Sequence, residues 1–207
     1  PDGRGRPATQ IGLHPDGLCF FALVIRSDET HLYFMDAFRE IQAHVHIDVS
    51  PREAYAIALE KYAKEINLMV QSAGCLFRST PGVGISFAGW VDEKTGTIRT
   101  PSRFREWHKR DLAKDLASLT GLSCYMDNDA ISLIKAAFWF SKKKMPHSFA
   151  LVYLDFGLGT GYCLQNKIYT GRSHISAGLS HTKWFDWSQE VCHCGQVGCL
   201  ETVLTVP

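Results

Sequence analysis

The 207-residue sequence lacks an excess of charge, a long apolar run and any compositionally biased tract. Each absence removes a class of function. Lys+Arg 22 against Asp+Glu 21 leaves a formal charge of +1, so no bulk field draws the chain onto nucleic acid or an anionic membrane. The longest unbroken apolar run, Leu18 to Ile25, is far too short to span a bilayer. No basic segment followed by an apolar stretch opens the chain, so no secretory signal is read. The first residue is Pro1 and not Met, so the natural start is expected upstream. What is present is ordinary for a globular protein, with hydrophobic residues at 45% and charged residues at 21%. Cysteine occurs seven times, an odd count, and Cys192, Cys194 and Cys199 crowd together. That pattern fits a reducing compartment and a metal site better than a disulfide framework. A soluble, cytoplasmic protein is expected.

The opening Pro1 to Ala8 cannot pack a core and reads as a linker or arm. Strands are predicted at Leu18–Ile25, His31–Asp36 and Ile41–Ile47, with Arg26-Ser27-Asp28-Glu29 as the first hairpin turn. Ser50-Pro51-Arg52-Glu53 reads as a capping box, followed by a helix whose apolar spacing is Ile57, Tyr62, Ile66, Met69 and Val70 and whose stop is Gly74. Strands at Val83–Phe87 and Ser123–Met126 then alternate with helices at Asp111–Thr120, closed by Gly121, and Asp129–Phe140. Met145-Pro146-His147 is the expected domain junction, after which Phe149–Phe156 opens a fresh run of strands with Gly157, Gly159 and Gly161 behind it. The chain therefore divides into a connecting segment 1–17, a first α/β domain 18–146 and the start of a second, 147–207. The order predicts an α/β sheet with an antiparallel hairpin on one side and parallel crossovers after it.

The sharpest local signal is Cys192-His193-Cys194-Gly195-Gln196-Val197-Gly198-Cys199. Three thiolates on a glycine-loosened loop can converge on one ion, and tetrahedral zinc wants a fourth ligand. His181 and His193 are the nearest nitrogen donors. His181 is preferred, because His193 sits between two ligating cysteines where its ring more easily turns away. Closed four-coordination makes such a zinc structural, with no water to activate. Three buried free cysteines are the plain alternative. A nucleic-acid-binding zinc ribbon would want paired Cys clusters and basic neighbours, and this segment has neither.

His181 followed by Cys-x-Cys-Gly-x-x-Gly-Cys-Leu-Glu, Cys192 to Glu201, resembles the zinc motif of the ROK family of sugar kinases and sugar-responsive repressors. Gly82 to Asp92 resembles that family's glycine-containing strand and turn, and Trp107 falls where a family Trp follows. Asp127-Asn128-Asp129-Ala130 resembles its Asn-Asp-Ala motif, and Ile168 to Gly171 with Ala177-Gly178 fits the approach to the family histidine. The resemblance runs from about Arg4 to the C-terminus. It implies an actin-like, ribonuclease-H-like two-domain α/β fold with sugar in the cleft. The family's closing helices do not follow Pro207, so the second domain is expected to be incomplete here. Gly89, Asn128, Asp129, His181 and Glu201 stand where the family contacts its sugar. A family Glu near Gly178 is lost, and Arg103 stands in place of an expected Asn. Arg103 either favours an acidic or phosphorylated sugar or points to solvent.

The family's two branches differ in chemistry. Its kinases open on an Asp-x-Gly-x-Thr hairpin, where glycines let backbone amides approach the phosphates of ATP, with Mg2+ bound. The matching turn here, Val24 to Thr30, has no glycine and carries Asp28 and Glu29. Such a turn repels phosphate. Gly157-Leu158-Gly159-Thr160-Gly161 matches the second phosphate loop better. Asp129 matches the family's general base and is catalytic only in a kinase, with a helix N-cap as the competing role. Gly5-Arg6-Pro7 resembles the wing and linker joining a winged helix-turn-helix to the repressor branch, and Arg4 and Arg6 suit a narrow A·T-rich minor groove. The expectation is the ligand-sensing part of a homo-oligomeric repressor that binds operator DNA, with an ATP-dependent sugar kinase as the alternative.

Overall fold

The computed structural model describes residues 11, 12, 14, 17–73, 82–92, 94–101, 104–155, 157–172, 178–185 and 187–205. Arg4, Arg6, Gly74, Arg103, Phe156 and Ala177 lie outside the described residues.

The chain opens as a meander of β1 (Cys19–Ile25), β2 (Thr30–Asp36) and β3 (Ile41–Ile47). Strict alternation turns Phe21, Leu23 and Ile25 inward on β1 and Leu32 and Phe34 inward on β2. Phe21 stacks on Phe34 at 5.1 Å across the antiparallel register. The expected hairpin turn closes where Arg26 N–H donates to the Glu29 carbonyl at 2.9 Å. Next come α1 (Tyr55–Ala73), β4 (Gly82–Phe87), a hairpin of β5 (Gly89–Asp92) and β6 (Thr97–Pro101), α2 (Leu112–Thr120), β7 (Ser123–Asn128) and α3 (Asp129–Phe140). The main sheet has the order β3-β2-β1-β4-β7, with β1, β4 and β7 mutually parallel. An antiparallel hairpin beside parallel crossovers is the predicted topology. Trp107, fully buried, sits among Tyr55, Tyr62, Phe87 and Phe104 and donates its indole N–H to the Glu53 carbonyl at 3.2 Å.

A second sheet, β10-β9-β8, follows from β8 (Phe149–Leu154), β9 (Leu158–Leu164) and β10 (Lys167–Tyr169), all antiparallel. It packs on α3 through β9. A Cβ on Gly161 would stand 2.8 Å from Ile134 Cβ, and one on Gly159 would stand 3.0 Å from Ala130 Cβ. Close helix–strand approach therefore explains Gly159 and Gly161, both within β9. The chain ends on a long loop and the short α4 (Glu201–Leu204).

Two expectations are corrected, and one hairpin was missed. The Ser50–Glu53 segment is a separate turn and not a capping box: Glu53 N–H donates to the Ser50 carbonyl at 2.9 Å, while the Glu53 carboxylate pairs with Lys61 at 2.7 Å. The helix starts only at Tyr55, and its buried stripe is Tyr55, Ala58, Tyr62, Ala63 and Ile66, leaving Ile57 half exposed. The β5–β6 hairpin was not predicted. Asp92 builds its turn by accepting the Lys94 and Thr95 N–H groups, a local side-chain turn that apolar patterning does not signal. Among the described residues no helix is long and apolar enough to cross a membrane.

Candidate functional site

The parallel strand β7 delivers Asn128 and Asp129 at its C-terminal end, where open α/β sheets hold their ligands. Asn128 caps α3: its Oδ1 accepts the Ala130 and Ile131 N–H groups at 3.0 and 3.2 Å. Its amide nitrogen donates to the Gly89 carbonyl and to Asp129 Oδ1, both at 2.8 Å. Gly89, Asn128 and Asp129 are thus one hydrogen-bonded cluster. The helix cap is Asn128 and not Asp129, whose Oδ1 accepts from its neighbour Ala130 N–H at 2.8 Å. Burial pushes the Asp129 carboxyl up to about 6; the Ala130 and Asn128 hydrogen bonds oppose that rise, and the charge of Asp155 adds to it.

Asp155, in the turn between β8 and β9, accepts a charged hydrogen bond from the Arg26 guanidinium at the end of β1. Tyr153 Oη donates to the same carboxylate oxygen at 2.6 Å. Arg26 also lies 3.2 Å from Glu29 and 3.8 Å from Asp28. The two hairpins that the resemblance assigns to phosphate are therefore joined to each other by an ion pair, with three carboxylates around one guanidinium. The sequence reading noted the acidic turn but missed Arg26, Tyr153 and Asp155. A contact spanning 129 residues leaves no local pattern to read.

The cysteine loop brings His181, Cys192, Cys194 and Cys199 together with donor atoms all within 4.8 Å of one another. Cys192 Sγ lies 3.5 Å from His181 Nδ1, and Cys194 Sγ lies 3.7 Å from Cys199 Sγ. The loop folds back through paired hydrogen bonds, Gly195 N–H to the Cys192 carbonyl and Cys192 N–H to the Gln196 carbonyl, each 2.8 Å. Gly198 permits the last approach: its φ is 79°, and a Cβ there would meet the Phe185 carbonyl oxygen at 2.7 Å. Three thiols and one imidazole nitrogen are a donor set that suits a tetrahedral metal ion. Burial raises the Cys192 and Cys199 thiols and lowers His181, so charge from an ion would be needed to hold the thiolates.

His193 Nδ1 lies 2.9 Å from Glu201 Oε1 and 3.8 Å from Cys192 Sγ, and His181, His193 and Glu201 form a second candidate donor group. The other Glu201 oxygen accepts the Leu158 N–H at 3.0 Å. Burial alone would raise the Glu201 carboxyl, but the His193 and Leu158 hydrogen bonds hold it below the usual carboxylate range. Glu201 therefore ties the cysteine loop to the start of β9, a link across 43 residues that the sequence did not signal.

The profile of the ROK family matches residues 22–205 of the chain. A glucokinase of Thermotoga maritima is 32% identical over 123 residues, 59% of this chain and 38% of its own length. A xylose repressor of Caldicellulosiruptor bescii is 27% identical over 120 residues, 58% of this chain and 30% of its own. Among solved structures, a ROK family transcriptional regulator, a homolog of the Escherichia coli MLC protein, superposes with a TM-score of 0.78 at 22% identity. That match covers 91% of this chain and 47% of the other. A ROK family glucokinase from Streptomyces griseus in complex with glucose and AMPPNP superposes at 0.71 and 22% identity, covering 89% and 56%. The chain thus spans well under two thirds of these relatives, and repressors and sugar kinases both stand among them. The α/β fold, the motif order and the family profile agree, and the chain belongs to the ROK family.

Proposed function

We propose that the chain is the ligand-sensing part of a sugar-responsive transcriptional repressor and does not transfer phosphoryl groups. The carrying observation is the Arg26–Asp155 ion pair between the two hairpins. Phosphoryl transfer is almost wholly positioning and charge stabilisation around the phosphates. Here the nearest guanidinium is already held by Asp155, Glu29 and Asp28, and no glycine in the 26–29 turn lets amides face an anion.

In this reading the sugar lies between lobes 18–146 and 147–207, contacted by Gly89, Asn128, Asp129, His181 and Glu201, and by the resemblance also by Arg103. Carboxylate, amide and imidazole groups suit hydroxyls that both donate and accept. A structural Zn2+ would be held by His181, Cys192, Cys194 and Cys199. His181 Nδ1 faces Cys192, which leaves Nε2 for a sugar hydroxyl, so the metal would orient the sensing ring. Residues 1–17 are the connection to a winged helix-turn-helix, with Arg4 and Arg6 on operator DNA, and a homodimer engages two half-sites. Sugar affects DNA affinity only by its difference in affinity between two lobe arrangements.

A sugar kinase using ATP and Mg2+ is the second reading. Asp129 favours it, because a carboxyl raised to about 6 is a general base poised near neutral pH. The two are separated by DNA-binding titrations of the natural protein that contains this chain, against a panel of sugars and sugar phosphates. At least one panel member is expected to change DNA affinity, and Asp129→Ala is expected to abolish that response. No response from any member, with Asp129→Ala and Glu201→Ala both indistinguishable from wild type, would overturn the sensor.

A further inference from the structure

The geometry points to a second metal site, on the outer face of the β2–β3 hairpin, that takes a borderline divalent transition ion such as Ni2+ or Zn2+ through His31, His44 and His46. None of these residues belongs to the cleft or the cysteine loop. In the antiparallel register His31 faces His46 and Tyr33 faces His44. Because Leu32 and Phe34 on β2 turn inward, alternation places His31, Tyr33, His44 and His46 together on the opposite face. His44 and His46 are exposed, so an ion can reach them.

The rings are already gathered. His31 Nδ1 lies 2.8 Å from His44 Nε2, and the His31 and His46 ring centroids are 5.2 Å apart. Tyr33 stacks flat on His44, at 4.6 Å and 10°, which fixes that ring's plane. Glu29 Oε2 lies 2.9 Å from His31 Nε2. That carboxylate accepts the Nε2 proton, so Nδ1 of His31 keeps a lone pair directed at His44. A carboxylate behind an imidazole is the usual arrangement behind metal-ligating histidines. The proton in the 2.8 Å contact then belongs to His44 Nε2, and an ion takes its place when neutral His44 carries its proton on Nδ1 instead. Two nitrogens on one tetrahedral ion sit about 3.3 Å apart, so the pair needs to open by only about half an ångström. His46, directly across from His31, supplies a third nitrogen by a ring rotation, and water completes the coordination.

An imidazole trio suits Ni2+, Cu2+ and Zn2+ and has little affinity for Mg2+ or Ca2+. The bland alternative is that these rings only stabilise strand pairing, as cross-strand aromatic pairs do. Calorimetric titration of the full chain with Ni2+ at neutral pH separates the two. With the cysteine loop first filled by one equivalent of Zn2+, one Ni2+ per chain is expected to bind, with the His31, His44 and His46 ring protons broadened in NMR spectra. His44→Ala, a change at an exposed ring, is expected to weaken binding by about tenfold or more while leaving the far-UV circular dichroism spectrum unchanged. Glu29→Gln should weaken binding several-fold and keep the stoichiometry, and Cys194→Ser should leave it intact. Ni2+ binding undiminished in His44→Ala, or abolished by Cys194→Ser, would show that the ion sits in the cysteine loop and would overturn the proposal.

Discussion

The two lobes hold themselves together by different means. In the first, a five-stranded sheet is covered by α1 and α2, and Leu23, Leu32, Tyr62, Ile66, Trp107 and Leu116 are fully buried around one centre. In the second, a three-stranded sheet leaves Val152 and Leu154 57% and 58% exposed, and the loop after it relies on Cys and His donors and on Glu201. Apolar burial supplies most of the first lobe's stability. Among the described residues the second buries less apolar surface, and its loop is tied in by Glu201 and carries a Cys/His donor set that suits a metal ion.

The sharpest way to break this contrast is to dismantle the Cys/His donor set in one lobe and the core in the other. A chelator, or Cys199→Ser, is expected to release residues 178–205 from hydrogen-exchange protection while β1, β2 and β4 stay protected. A structural zinc contributes on the order of 10 kcal/mol of local folding free energy, so this should be the largest effect. Equal loss in both lobes would mean that the metal supports the whole chain. Trp107→Ala is expected to cost about 3–5 kcal/mol in denaturant melts of the first lobe. Its metal content should be unchanged, since Trp107 packs within the core around the five-stranded sheet.

Asp129 stands at the junction, where β7 passes into α3. Its carboxyl is raised from 3.8 to about 6 by burial, so the folded chain binds its proton more tightly than the unfolded chain does. The stability this group contributes is complete below about pH 4 and lost as pH rises through about 6. Asp129→Asn lacks that decline, so its stability advantage over wild type should grow across the same window. It should reach as much as about 3 kcal/mol at neutral pH in melts followed against pH. A flat difference would show that Asp129 is ionised without penalty. Gly161→Ala tests the seam itself. A Cβ there meets Ile134 Cβ at 2.8 Å, so about 1–3 kcal/mol of overpacking is expected, measured by thermal melts.

The first lobe was largely legible in the sequence. Alternation in Cys19–Ile25 and Thr30–Asp36 marks strands with one buried face, and Gly121 closes α2 as expected. Hydrophobic period carries that information locally. The start of α1 was misread because Ser50 and Glu53, which share a capping box's spacing, spend their hydrogen bonds on a turn and on Lys61. In the second lobe the cysteine spacing was readable because ligand type and loop length are local. The packing behind the Gly157 to Gly161 stretch was not, since Gly159 and Gly161 lie against α3 and Gly157 against Glu201. Arg26 with Asp155 and Glu201 with Leu158 were beyond reach because these contacts join residues 129 and 43 positions apart.

In the proposed reading the Arg26–Asp155 pair closes the end of the cleft where a kinase would hold its phosphates. The decisive experiment is incubation of the chain with a panel of hexoses and amino sugars, labelled ATP and Mg2+. No sugar phosphate above a heat-inactivated control is expected, in wild type and in Arg26→Ala alike, because Asp28 and Glu29 still face the turn. Clear turnover by the wild type, abolished by Asp129→Asn, would contradict it and make the chain part of a kinase.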